Sequence, residues 1–201
     1  MAVAHRELVL PGDGESVTLQ GGVGVVFKVP GSLTSGQLAI VEHPVPLDAL
    51  VVPHVHTKED ELSYVLEGEI GVMIGDREFI APTGSYVFKP RDIPHAFWNS
   101  GTLPARLIEL ILPSGLEDAF HEMATLSIDR AMAGGDAARR SEISARYGTT
   151  PRFDLLPAFA ERHGIPLPPE WVRRINAQKI SALQKAASRV PTNGTPPAKA
   201  G

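Results

Sequence analysis

His54 and His56 are separated by one residue, and Glu61 follows with four residues between. Side chains alternate along an extended strand, so both imidazoles leave the same face and form a ready chelate. A short turn through Thr57-Lys58-Glu59 folds Glu61, the head of the apolar run Leu62 to Leu66, back beside them. Far along the chain His95 stands where another strand begins, within Gly84 to Asn99. These four residues predict one divalent metal ion held by three imidazoles and one carboxylate. His5, His43, His121 and His163 have no partner at ligand spacing and are read as structural or solvated.

The spacing His-x-His, four residues, Glu, six residues, Gly is met at His54, His56, Glu61 and Gly68. Gly, five residues, Pro, a turn, His, three residues, Asn follows at Gly84, Pro90, His95 and Asn99. Together they strongly resemble the two motifs of the cupin superfamily, and the fifteen residues between Gly68 and Gly84 are similar to the inter-motif spacing of compact microbial cupins. The second motif usually has Gly two residues after its Pro, and this chain has Asp92 there. Asp tolerates left-handed turn conformations better than most residues, so the turn is expected to survive. The resemblance implies an all-β, double-stranded β-helix (jelly-roll) barrel with His54, His56, Glu61 and His95 as metal ligands.

Three imidazoles and a carboxylate leave two positions open on an octahedral metal, enough for a chelating substrate or for substrate and dioxygen together. A structural zinc site would be closed and tetrahedral, and is normally built with thiolates that a chain without cysteine cannot supply. The ligand set suits Fe(II); nitrogen and oxygen donors also accept Mn, Co, Ni, Cu or Zn. Alternation puts Ser63 and Val65 on the face of Glu61, Phe97 and Asn99 on that of His95, and Val52 on that of the paired histidines, which predicts a mostly apolar, substrate-binding wall. Tyr86 and Phe88 share a face and are candidates for the pocket mouth or for core. Glu109 interrupts the apolar strand Leu107 to Leu112 and is read as an outward, solvated carboxylate, with an inward role, either in acid-base chemistry or in supporting a metal ligand, as the alternative.

A barrel followed by a helical tail that starts after Pro113-Ser114-Gly115 resembles the single-domain, quercetinase-like group of cupins over about residues 20 to 130. That resemblance implies a metal-dependent dioxygenase acting on a small aromatic or enolisable substrate, with Glu61 as ligand and possible general base. An isomerase or cyclase using the metal as a Lewis acid is the alternative, and a non-catalytic binder of a small ligand is a third.

The elements that must position these residues are short. About ten strands, punctuated by turns such as Pro11-Gly12-Asp13-Gly14 and Gly75-Asp76, run to residue 112, with residues 5 to 10 and 15 to 20 as edge strands. This rhythm favours a sandwich or barrel over an α/β arrangement. After residue 113 helices are expected over 115–127 with Ser114 as a cap, over 131–146, over 155–163 and over 170–187, with Tyr147 to Pro151 as a stop and 191–201 as a disordered tail. The organisation is thus a barrel over 1–113, a helical extension over 114–190 and the tail.

The 201 residues, 43% of them hydrophobic, suffice for one substantial core. A net charge of −4 without a long basic run argues against nucleic acid as a partner. No stretch approaches the roughly 20 apolar residues needed to span a bilayer, and the N-terminus lacks a signal-like apolar core, so a cytoplasmic protein without membrane partners is expected. Strands and helices in excess of what one small barrel needs lead to the expectation of a homodimer.

Overall fold

The computed structural model describes residues 8–126 and 135–167, together with 171, 172, 175 and 176. The chain divides into two compact units, Met1–Pro166 and Leu167–Gly201. In the second, Trp171, Val172, Ile175 and Asn176 are helical; the rest of the helix expected over 170–187, and the tail over 191–201, lie outside the described residues.

The first unit is built on two antiparallel sheets. One has the order β1-β2-β3-β10-β5-β8, with β1 Ser16–Thr18, β2 Gly24–Val29, β3 Ala39–Val45, β5 Asp60–Glu67, β8 Tyr86–Lys89 and β10 Ala105–Leu112. The other has the order β11-β4-β9-β6-β7, with β4 His54–His56, β6 Glu69–Ile74, β7 Arg77–Pro82, β9 His95–Asn99 and β11 Thr149–Pro151. This is the all-β arrangement that the strand rhythm favoured and the jelly roll that the resemblance implied. Residues 8–10 are not a strand, and residues 5–7 lie outside the described set.

Alternation along the strands builds the interior. On β3 Val41, His43 and Val45 are buried in turn, and on β10 Leu107, Glu109 and Ile111 are. Val45, Leu107, Val65, Phe97, Val72 and Ile70 form one apolar cluster. Val41, Ile111, Val25 and Ala39 form a second with the helix residues Leu116, Ala119 and Ile143. His43 and Glu109 therefore fall between two greasy halves of the barrel, because each sits between a residue of one cluster and a residue of the other on its own strand. At about 25 cal/mol per Å² of apolar surface removed from water, these clusters carry most of the drive for folding.

Among the described residues of this unit three helices follow. Helix α1, Leu116–Ala124, closes the second cluster, and α2, Gly135–Tyr147, adds Ile143 to it. Ser114 is not the cap of α1. Gly115 holds that position with φ 129, and Glu117 takes over the capping, its Oε2 accepting from Gly115 N at 2.6 Å and its Oε1 from Gly31 N at 3.0 Å. Helix α3, Leu156–His163, covers the outer face of β9, where Trp98 packs on Phe159 at 4.9 Å and on His163 at 4.2 Å between ring centres.

Thr149–Pro151, expected to be only a helix stop, is a strand and pairs with β4. The two β-branched threonines favour the extended backbone, and Pro151 is tolerated because β11 is the edge of its sheet. The barrel thus recruits residues from beyond position 113. Asp92 adopts φ 63, the left-handed turn conformation expected of it. Among the described residues no helix is long and apolar enough to cross a membrane.

Candidate metal centre

β4 holds its two histidines on one face, and β9 lies beside it with His95 paired directly to His54. Residues 57–59 carry the chain across to the opposite sheet, where Glu61 opens the inward row of β5 with Ser63 and Val65. Three imidazoles from one sheet therefore meet one carboxylate from the other. One ligand atom of each of His54, His56, Glu61 and His95 lies within 4.8 Å of the rest.

The ring nitrogens are sorted by their partners. His54 Nδ1 lies 2.8 Å from Val52 O, and His95 Nδ1 lies 3.1 Å from Ile93 O. A carbonyl can only accept, so each Nδ1 carries the proton and each Nε2 keeps its lone pair. His56 Nδ1 meets the Thr149 hydroxyl at 3.1 Å. The three Nε2 atoms turn inward: those of His54 and His56 are 2.9 Å apart, that of His56 is 3.5 Å from Glu61 Oε1, and that of His95 is 3.2 Å from Glu61 Oε2. His95 Nε2 is buried without a hydrogen-bond partner. Inward lone pairs and an unpartnered buried nitrogen fit a cation, and nitrogen and oxygen donors suit a divalent transition metal.

Burial, followed by the neighbouring imidazoles, holds His54 well below its ordinary pKa, and burial brings His56 down to about 4 against the pull of Glu61. Both rings stay neutral near pH 7, as ligands must. Burial alone would raise Glu61, but Lys89, His56 and His95 together hold its carboxyl well below the usual range.

Behind Glu61 lies a buried network in which Lys89 was not expected and Glu109 takes the inward place that was its alternative. Lys89, 1% exposed, stands opposite Glu61 in the β5–β8 register and donates to Glu61 Oε2 at 2.9 Å and to Glu109 Oε2 at 2.6 Å. Glu109 is not the outward, solvated carboxylate expected. It is 1% exposed and accepts from the Ser63 hydroxyl, at 3.0 Å to its Oε2. Burial pushes Glu109 up to about 7 despite Lys89, while burial's pull on Lys89 is outweighed by Glu109 and Glu61, which raise it. Inward alternation on β8, where Val87 and Lys89 oppose Tyr86 and Phe88, was the signal available for Lys89. His43 is also interior: its Nδ1 donates to Gly24 O at 2.8 Å, and burial brings it to about 4.

The expected substrate contacts divide. Val65 and Phe97 are buried inside the barrel, and Ser63 shares their interior but is bonded to Glu109. Val52 is half-buried and gives its carbonyl to His54. Asn99 is committed to the backbone, donating to Val45 O at 2.8 Å and Leu103 O at 3.0 Å and accepting from Gly101 N at 2.9 Å; it fixes a loop rather than offering a free amide to a substrate. Tyr86 and Phe88 do not line the interior. They pair with Tyr64 and Leu62 on the face opposite Glu61 and are 73% and 57% exposed.

Residues 45–111 match the family model described as "Cupin domain". No curated protein matches the chain. Among solved structures, an RmlC-like cupin from Shewanella frigidimarina is 19% identical, with 57% of this chain and 96% of that one covered and a TM-score of 0.49. KdgF from Halomonas sp. is 16% identical, with 54% and 96% covered and a TM-score of 0.49. The polyketide cyclase RemF from Streptomyces resistomycificus is 21% identical, with 55% and 81% covered and a TM-score of 0.47. The stretch that matches this family model, folded into two facing antiparallel sheets, holds all four clustered side chains.

Proposed function

We propose that this protein is a metal-dependent dioxygenase acting on a small aromatic or enolisable molecule. The observation that carries the reading is the convergence of three imidazole nitrogens and one carboxylate inside a barrel walled by Val65 and Phe97. His54, His56, His95 and Glu61 would hold the ion. When bound, it would supply a Lewis acid and coordination positions for a chelating substrate and dioxygen.

The chain's own groups define the rest. His54 is the half-buried ligand, while His56, Glu61 and His95 are buried, so a substrate approaches from the His54 side. The apolar walls favour an aromatic body and exclude water. Glu61 is placed to accept the substrate's hydroxyl proton at Oε1, since Oε2 is engaged by Lys89. Both atoms of dioxygen end in the organic product; the substrate supplies the electrons and no external reductant is required.

The second reading, an isomerase or cyclase, is favoured by Lys89 and Glu109 behind Glu61, a buried pair able to hold and return a proton. Oxygen uptake separates the two. Protein loaded with Fe(II), or with Mn, Co, Ni, Cu or Zn, is expected to consume oxygen with a flavonol or related enol and to lose this in Glu61→Gln. Turnover that proceeds under nitrogen supports the second reading, and loaded protein inert both ways contradicts both in favour of a binder.

A further inference from the structure

We propose that Thr149, which lies beyond both cupin motifs, is a positioning residue of the metal centre: its hydroxyl accepts the Nδ1 proton of His56 and so presents the lone pair of Nε2 to the ion. The proposal rests on reading His54, His56, Glu61 and His95 as a metal site.

The three histidines are not oriented in the same way. His54 and His95 each give Nδ1 to a carbonyl two residues upstream, so their tautomers are dictated by the backbone just before their own strands. His56 has its partner 93 residues away, on β11, and that partner is a hydroxyl rather than a carbonyl. Imidazole has one proton to place when neutral, and an ion needs Nε2 bare, so the hydroxyl must act as acceptor for Nδ1–H.

The rest of the segment is built to keep that hydroxyl in place. Thr149 pairs with His56 and Pro151 with His54, so β11 runs the length of the ligand strand. Thr57 N and the Thr57 hydroxyl both donate to Gly148 O, at 3.0 and 3.1 Å, Lys58 Nζ donates to Arg146 O at 2.6 Å, and Arg152 N donates to Pro53 O at 2.6 Å. Residues 146–152 thus bracket 53–58 on both sides of the histidine pair. Gly148 has φ 70, and a Cβ there would meet the Thr57 hydroxyl at 2.5 Å, so the close approach requires glycine. Partners that fix a ligand's ring and tautomer typically matter 10- to 100-fold in metal affinity.

The test uses the full chain with Thr149→Val, which keeps shape and strand propensity, Thr149→Ala, and Thr149→Ser as the rescuing variant. In the zinc-loaded protein at pH 7.5, long-range proton–nitrogen correlation spectra read the Nδ1–H signal of His56, assigned by its loss in His56→Gln, which moves downfield when that proton is hydrogen-bonded. Zinc affinity is measured by competition with a chromophoric chelator. The expected result is a downfield, hydrogen-bonded Nδ1–H signal in the wild type and in Thr149→Ser, that signal moved upfield or lost to exchange in Thr149→Val and Thr149→Ala, and a loss of about 10- to 100-fold in zinc affinity in those two alone. An unchanged Nδ1–H signal and affinity in folded Thr149→Val overturn the proposal. A wild type that binds no zinc overturns the metal-site reading and the positioning role with it.

Discussion

At Lys89 the chain sets an ammonium group between Glu61 and Glu109 inside an otherwise apolar barrel. Removing one partner of a buried ion pair strands the other, at a cost of roughly 3–5 kcal/mol. Lys89→Met should therefore lower the stability of the metal-free protein by about that much in urea unfolding, and added divalent metal should restore part of it by pairing with Glu61; an unchanged midpoint would speak against the network. His43 tests the interior through pH. Its folded pKa of about 4 lies below the ordinary value of 6.5, so between these values the unfolded chain binds more protons and stability falls with acidification. The loss is roughly 3 kcal/mol across that window, complete once pH reaches the folded value. His43→Gln should remove this part of the acid sensitivity, and parallel stability–pH curves for the two proteins would refute it. The four clustered residues were legible because period-2 alternation and motif spacing act within a few residues. Lys89 was not read, although the face it shares with Val87 on β8 carried the signal; for Glu109 and His43 an interior place was one of two readings, and their burial decides it.

The ligand strand β4 is three residues long and owes its position to β9 on one side and β11 on the other. Strand rhythm and turn residues were enough to read β5 through β10, including the Gly75-Asp76 hairpin that joins β6 to β7. β11 was hidden because three residues after a helix carry no periodicity, and only their pairing with β4 makes them a strand. Tyr86 and Phe88 were open to either face until the ladder to Tyr64 and Leu62 settled them. On the covered face of β9, Trp98 lies across Gly71, where a Cβ would overlap its ring. Gly71→Ala should push Trp98 against Phe159 and His163 and destabilise the protein by about 1–3 kcal/mol, visible in urea unfolding followed by tryptophan fluorescence. Unaltered stability and emission would show that the sheet and α3 have room to spare.

For the first unit as a whole, the apolar clusters on either side of the polar belt explain why the fold class could be read from composition and pattern, whereas the joining of the barrel to residues 149–151 could not. A ligand that binds only the folded chain stabilises it by mass action, by about 2.7 kcal/mol at one hundred times its Kd. Thermal unfolding should accordingly shift upward with metal concentration and return on adding a chelator. The claim on which the rest depends is that His54, His56, His95 and Glu61 share one ion. Equilibrium dialysis with metal analysis tests it most directly: the wild type should retain one divalent ion per chain, and a folded variant carrying His54→Ala, His56→Ala and His95→Ala almost none. Equal retention by both proteins, or none by the wild type with any of the six metals, would contradict the account.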